Sequence, residues 1–332
     1  MRGVAFNTMN EFGEGESAKH MRLVVVGAGQ MGAIYGAAAH ENGHDVCFID
    51  TDQTTVDAIN HDGLRIDRQD GHSDVYRIDA KSEPSDSDPK ADVALVMVKG
   101  WATAAAAARV APVVDGNTLI LTLQNGLGNE EVLRSAFPGN EILIGVSVHT
   151  VVTLGAGHYS HTGVRDTHLG PSCDDGMVAA QTAGALFARE DFPVHVLSES
   201  DVRREQWGKF VLNCASLPTA ALTRLPTAAV RDMDVLFKQM DDVTRETCAI
   251  GRAEGIELDT EERVAFQHDL LRTAGGRASM LGDVLAGRRT EVDTINGAAI
   301  MYADKHGLAA PLNRMLFALV KGLDRSFELT TS

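Results

Sequence analysis

The sequence predicts an α/β protein in two parts: a doubly wound, parallel sheet over residues 21–199 and an all-helical domain over residues 200–332. Three observations carry this. Short apolar runs alternate with helical patterns as far as about residue 200. Beyond Asp201 the strand signals stop, and everything from Val202 to Phe327 reads as helix. A chain of 332 residues also exceeds what one ordinary hydrophobic core spans, so two domains are expected.

The chain is organised around Met21 to Asp50. Leu23 to Val26 is an apolar run of the length of a buried strand, and it breaks directly into Gly27, Gly29 and Gly32 in G-x-G-x-x-G spacing. Ala33, Ile34, Ala37 and Ala38 are helix material, Gly43 stands where a helix stop belongs, and Asp45 to Ile49 reads as a second strand ending on Asp50. In such a βαβ unit Gly27 permits the tight turn, Gly29 lets the backbone approach a pyrophosphate, and Gly32 lets helix and strand pack closely. The helix N-terminus, at Gln30 and Met31, offers unpaired N–H groups to the anion. Asp50 is placed to meet a ribose 2′-hydroxyl.

Composition narrows the partners. Forty-six acidic against thirty basic residues give a net charge of −16, which repels nucleic acid and anionic membranes and argues against either as a partner. Cys47, Cys173, Cys214 and Cys248 are scattered without metal-binding spacing, so free thiols and no metal are expected. No apolar run reaches the length of a membrane span, and residues 1–20 lack the apolar centre of a signal peptide. The expectation is a cytoplasmic protein with a disordered tail over residues 1–20, the fold beginning at Met21. The oligomeric state is left open, a homodimer included.

Further elements follow in order. Thr54 to His61 reads as a helix, Leu64 to Ile66 as a short strand, and Lys81 to Lys90 as a polar loop. Ala91 to Val98 is a buried strand closed by Lys99-Gly100-Trp101, which puts a lysine on the ligand edge of the sheet. A helix from Thr103 to Val110 leads to the strand Thr118 to Leu123, whose end carries Gln124-Asn125-Gly126-Leu127-Gly128-Asn129. From Glu141 to Leu169 alternating short runs predict strands joined by turns, with some antiparallel character. His149, His158, His161 and His168 lie there without helical registration, and no metal is expected from them. Met177 to Ala188 reads as a helix and Val194 to Leu197 as the last strand.

The second part opens with Trp207 to Leu217, a helix apolar on most sides, with Lys209 and Asn213 four apart on one face. Burying an ammonium is costly, and the pKa shift that burial produces is what a general acid requires. Further on stand Ala278-Ser279-Met280-Leu281 and the run Gly287 to Gly297. Thr290-x-x-Asp293 resembles a capping box, which places Glu291 in the first turn of a helix, where a carboxylate favours the helix dipole.

Taken together these motifs resemble the ketopantoate reductase (2-dehydropantoate 2-reductase) family, from Met21 to about Lys321. The matching residues are Gly27-x-Gly29-x-x-Gly32, Lys99-Gly100-Trp101, Gln124-Asn125-Gly126-x-Gly128, Lys209-x-x-x-Asn213, Ser279-Met280 with Asp283, and Gly287-Arg288-x-Thr290-Glu291-x-Asp293-x-x-Asn296-Gly297. The resemblance implies a Rossmann domain followed by a helical domain like that of 6-phosphogluconate dehydrogenase, with the active site in the cleft between them. It implies reduction of a 2-keto acid by a nicotinamide cofactor, in pantothenate biosynthesis. Lys209 would be the general acid at the ketone oxygen and Glu291 the carboxylate that positions it. Asn125 and Lys99 would line the nicotinamide side, and Asn213 and Ser279 would hold the substrate. Two departures bear on specificity. Asp50 stands where most members carry a basic residue, commonly arginine, for the 2′-phosphate of NADPH, so NADH is expected to be preferred and NADPH remains open. Leu217 stands where ketopantoate enzymes usually have an asparagine that meets the substrate. If Leu217 borders the pocket, branched or aromatic 2-keto acids are expected to be reduced at least as well as ketopantoate, as in D-mandelate-type D-2-hydroxyacid dehydrogenases. If it faces the core, another side chain holds the hydroxyl. A non-catalytic NAD-binding sensor is the alternative from another class, and it would need no buried Lys209 with Glu291.

Overall fold

The structure is a computed structural model, and it describes residues 20–273 and 276–330. The expected tail therefore lies, except for His20, outside the described residues. Strands follow in chain order as β1 (Arg22–Val26), β2 (Asp45–Ile49), β3 (Leu64–Asp67), β4 (Ser73–Tyr76), β5 (Asp79–Lys81), β6 (Val93–Val96), β7 (Leu119–Thr122), β8 (Ile142–Ser147), β9 (Thr150–Gly155), β10 (His158–Gly163), β11 (Thr167–Pro171) and β12 (Val194–Val196). Interleaved with them are α1 (Gln30–Glu41), α2 (Gln53–Asp62), α3 (Thr103–Val110), α4 (Asn129–Ala136) and α5 (Met177–Ala185). Then come only helices: α6 (Glu199–Thr223), α7 (Thr227–Arg231), α8 (Asp234–Ala253), α9 (Thr260–Thr273), α10 (Ser279–Leu285), α11 (Asn296–Lys305) and α12 (Pro311–Thr330).

An eight-stranded sheet runs β12-β11-β8-β7-β6-β1-β2-β5. Its pairings are parallel except for β11 on β8. Period-two alternation divides each central strand between two layers: Leu23 and Val25 pack toward α1 and α5, whereas Val24 and Val26 pack toward α3 and α4. From β1 the chain runs outward to β2 and β5 and then returns to β6 on the other side. The gap between β1 and β6 is thus the switch point at which ligands bind in doubly wound sheets.

A second sheet, β4-β3-β10-β9, packs beside α1. The antiparallel pairing expected between residues 141 and 169 is present in β9–β10 and β8–β11. Strands β4 and β5, reading SDVY and DAK, were not predicted, because they are short and polar and owe their pairing to neighbours. Among the described residues no helix is long and apolar enough to cross a membrane.

Helix α6 is the spine of the molecule. Its N-terminal half lies across β8 and β11, and its C-terminal half sits among α8, α10 and α12. Pro218 lies inside it and cannot donate to the carbonyl one turn back. Asn296 fills that position, its Nδ2 donating to the Cys214 oxygen at 3.0 Å and to Asn313 Oδ1 at 2.9 Å. A buried acceptor left open by the proline is thereby satisfied, and α6 is tied to α11 and α12. Leu217 is 8 % exposed and belongs to the apolar core of these helices.

Candidate functional site

The glycine turn after β1 is built as its spacing requires. Gly27 has φ +104°, and a Cβ there would press on the backbone of Met97 and Val98 at 3.1 Å. A Cβ on Gly32 would come within 1.9 Å of the Gly27 carbonyl, so only glycine lets α1 approach β1 this closely. Gly29 is exposed with open space around it and caps α1 without any side-chain hydrogen bond. That leaves an uncovered helix N-terminus at Gln30 and Met31, which suits the pyrophosphate of a dinucleotide. Asp50 braces the turn: its Oδ2 accepts from Ala28 N at 2.7 Å and its Oδ1 from Asp52 N at 2.9 Å, while Tyr159 Oη donates to the Ala28 carbonyl at 2.6 Å. Lys81, on the neighbouring strand, receives the Asp50 N–H at its carbonyl, and its ammonium is paired with Asp88.

On the other side of the switch point the end of β6 meets the helical part. Lys99 Nζ lies 2.7 Å from Asp283 Oδ2 and 3.0 Å from Glu291 Oε2, and Gly100 N donates to Glu291 Oε1 at 3.2 Å. Burial works against the Lys99 charge, yet Glu291 and Asp283 outweigh it and raise its pKa. Lys99, expected beside the nicotinamide, is therefore also the ion-pair joint between the two parts.

The loop Gln124–Asn129 closes onto the same segment. Leu127 N donates to the Thr294 carbonyl at 2.9 Å. A Cβ on Gly126, at φ +81°, would fall 2.2 Å from that oxygen, and one on Gly100 would fall 2.6 Å from the Thr294 side chain. Both glycines, which stand at strand ends in the sequence, are required by the approach of the Thr294 turn. Asn125 is held at the loop's rim, its carbonyl accepting from Asn129 Nδ2 at 3.2 Å.

Lys209 projects from α6 toward the end of β8, and its Nζ donates to the Ser147 carbonyl at 2.7 Å. Desolvation lowers its pKa to about 8, partly opposed by the charge of Glu291. The residue as a whole is only part-covered, although its charged group is desolvated. Glu291 lies beyond ion-pairing distance of Lys209 and reaches it through its field, its direct partners being Lys99 and Gly100. The capping box is not formed. Glu291 stands in the turn before α11, Thr290 Oγ1 donates to Asp324, and Asp293 pairs with Arg289 and Lys321. Tertiary partners satisfy the polar side chains that would have capped a helix there.

Asn213, one turn beyond Lys209, is 7 % exposed, and no described residue bonds its amide. Ser279 is exposed at the first residue of α10. The Ser147 carbonyl and Thr294 were absent from the sequence-derived set, since a backbone acceptor leaves no mark in the residue pattern. Of the four histidines considered, His149 and His161 form a buried pair at 3.0 Å, both pushed down to about 4 by burial, and His158 bonds Asp67 at 2.9 Å.

A doubly wound sheet with a glycine turn after its first strand, joined to a helical part that carries a desolvated lysine, defines a two-part, Rossmann-type class of protein. Comparison with known sequences makes this specific. The ketopantoate reductase PanE/ApbA family model matches residues 23–173, and its C-terminal counterpart matches residues 201–324. The 2-dehydropantoate 2-reductase of Pyrococcus abyssi is 29% identical over 303 residues, covering 91% of this chain and 97% of that protein. A PanE/ApbA family ketopantoate reductase from Ralstonia eutropha JMP134 superposes with TM-score 0.82 at 30% identity, over 93% of this chain and 100% of that one. The ternary structure of D-mandelate dehydrogenase with NADH and anilino(oxo)acetate superposes with TM-score 0.87 at 24% identity, over 93% and 99%, which is a likeness of fold. The chain belongs to the ketopantoate reductase family.

Proposed function

We propose that this protein reduces ketopantoate (2-dehydropantoate) to pantoate with a nicotinamide dinucleotide, preferring NADH. The observation that carries this is Lys209, a desolvated ammonium held on the Ser147 carbonyl with a pKa of about 8, in a chain of this family. When bound, the nicotinamide supplies the hydride. As hydride reaches the ketone carbon, negative charge gathers on oxygen, and the Lys209 ammonium stabilises that charge and then delivers the proton. Ser147 orients the ammonium through its carbonyl, and Glu291 keeps it protonated near neutral pH. The free amide of Asn213 and the exposed hydroxyl of Ser279 are suited to hold the substrate's polar groups. The Lys99 joint with Glu291 and Asp283 holds the two parts together around the cleft, a role suited to excluding water.

NADH is favoured because Asp50 and Asp52 end this edge with no basic residue between them or at Gln53, and Lys81 is paired with Asp88, so a 2′-phosphate would meet like charge. The packing of Leu217 among other apolar groups supports a reading in which it does not bear on the terminal hydroxyl of ketopantoate. Steady-state reduction of ketopantoate and of 2-ketoisovalerate, each with NADH and NADPH, tests the reading. Ketopantoate turning over far better with NADH supports it, and equal turnover of the two acids overturns the substrate assignment.

A further inference from the structure

The outer edge of the large sheet carries a cluster that has no part in the proposed reaction. His168 on β11 and His195 on β12 are register partners in a parallel pair, so their side chains leave the same face of the sheet, with ring centroids 5.2 Å apart. Asp166, just before β11, reaches across to His195, Oδ1 to Nε2, at 3.1 Å. One ligand atom from each of the three lies within 4.8 Å of the other two. Helix α6 covers this face: a Cβ on Gly170, two residues along from His168, would touch the Val202 side chain at 2.9 Å. One turn on, Glu205 Oε2 stands 3.8 Å from His168 Nδ1.

We propose that Asp166, His168 and His195, completed by Glu205, bind a divalent transition-metal ion of the zinc class. Two imidazoles and two carboxylates are a donor set that suits Zn²⁺ and its neighbours, whereas Mg²⁺ and Ca²⁺ take oxygen ligands. Tetrahedral ligands on bonds of about 2.0–2.1 Å stand ~3.3 Å apart, so the described positions must close by roughly an ångström. The side chains that have to turn are free to do so, His195 being 49% and Asp166 55% exposed. The backbone is already in place, because strand pairing holds the two histidines side by side. Two carboxylates balance the charge of the ion, and a chain of net charge −16 draws cations to it. This departs from the absence of metal expected from the sequence, where the four ligands lie in three separate segments with no common spacing.

The test uses the full-length chain without a histidine tag, stripped with a chelator and dialysed. Calorimetric titration with ZnCl₂ should give one saturable equivalent, and CoCl₂ should develop the visible bands of four-coordinate cobalt. His195→Ala, at an exposed edge position, should weaken Zn²⁺ by about tenfold or more and abolish the bands. His158→Ala, on the other sheet, should change neither. Added Zn²⁺ should raise the melting temperature of the parent chain by more than that of His195→Ala at the same concentration. No saturable uptake, uptake that His195→Ala leaves intact, or uptake that Cys173→Ser removes instead, would each overturn the proposal.

Discussion

Replacing Lys209 by methionine separates what this residue does for chemistry from what it does to stability. Its pKa falls from 10.5 to about 8, so the folded protein disfavours the charged form by roughly 3 kcal/mol, some of it offset by water in the cleft. Methionine keeps most of the volume and removes that penalty, at the loss of one hydrogen bond to the Ser147 carbonyl, about 1 kcal/mol. The net gain at pH 7 is about 1–2 kcal/mol, or roughly 1.5–3 °C in melting temperature for a chain of this size. The sign with pH is fixed by linkage. Between pH 8 and 10.5 the unfolded parent chain binds the extra proton, so its stability rises with pH across that window. The variant lacks this rise, and the difference between the two closes above the upper end. Turnover should move the other way, falling about 10²–10⁴-fold, with the loss in kcat. In the parent chain, kcat/KM for reduction should drop tenfold per pH unit above about 8, as the acid loses its proton. The assay is NADH oxidation against ketopantoate from pH 6 to 10, paired with thermal melts. Turnover within about tenfold of the parent, or a break near pH 8 that persists in the variant, would refute the assignment.

Three further outcomes are expected. Catalytic efficiency with NADH should exceed that with NADPH by about ten- to a hundredfold, the effect of roughly 1.4–2.8 kcal/mol of like-charge repulsion; the cofactors are compared on the parent chain because Asp50 also braces the glycine turn. Gly126→Ala should destabilise by about 2–4 kcal/mol, since both its φ of +81° and the Thr294 carbonyl at 2.2 Å oppose a Cβ. Gly128→Ala, with φ +95° but open space around it, should lose only about 1–2 kcal/mol in the same melts. Asn296→Leu should lose about 2–4 kcal/mol in denaturant titration, because the Cys214 carbonyl, one turn before Pro218, and the Asn313 Oδ1 are left buried without the donor they share.

Most of the sheet and the helical nature of the second part were legible in the sequence, because each follows from local pattern. Leu23–Val26 with Gly27, Gly29 and Gly32 is a strand, turn and helix at any position in a chain, and the helix Thr103–Val110 has the bounds that its alanine-rich run suggests. Lys209 announced itself as a charge on an otherwise apolar helix. What the pattern could not supply are pairings between distant segments. The joint of Lys99 with Asp283 and Glu291, the Thr294 carbonyl that makes glycine necessary at 126, and the asparagine that answers Pro218 all join residues far apart in the chain. The capping box at Thr290 failed for the same reason, since Asp324 and Lys321, from a helix further on, bind its polar groups more directly than the local backbone does. Leu217 shows the limit most plainly. Its spacing from Asn213 puts both on one face of α6, but that Leu217 packs into the apolar core of the helical part depends on α8, α10 and α12, which lie against α6. Periodicity determines which side a residue takes, and only the packed neighbours determine what that side touches.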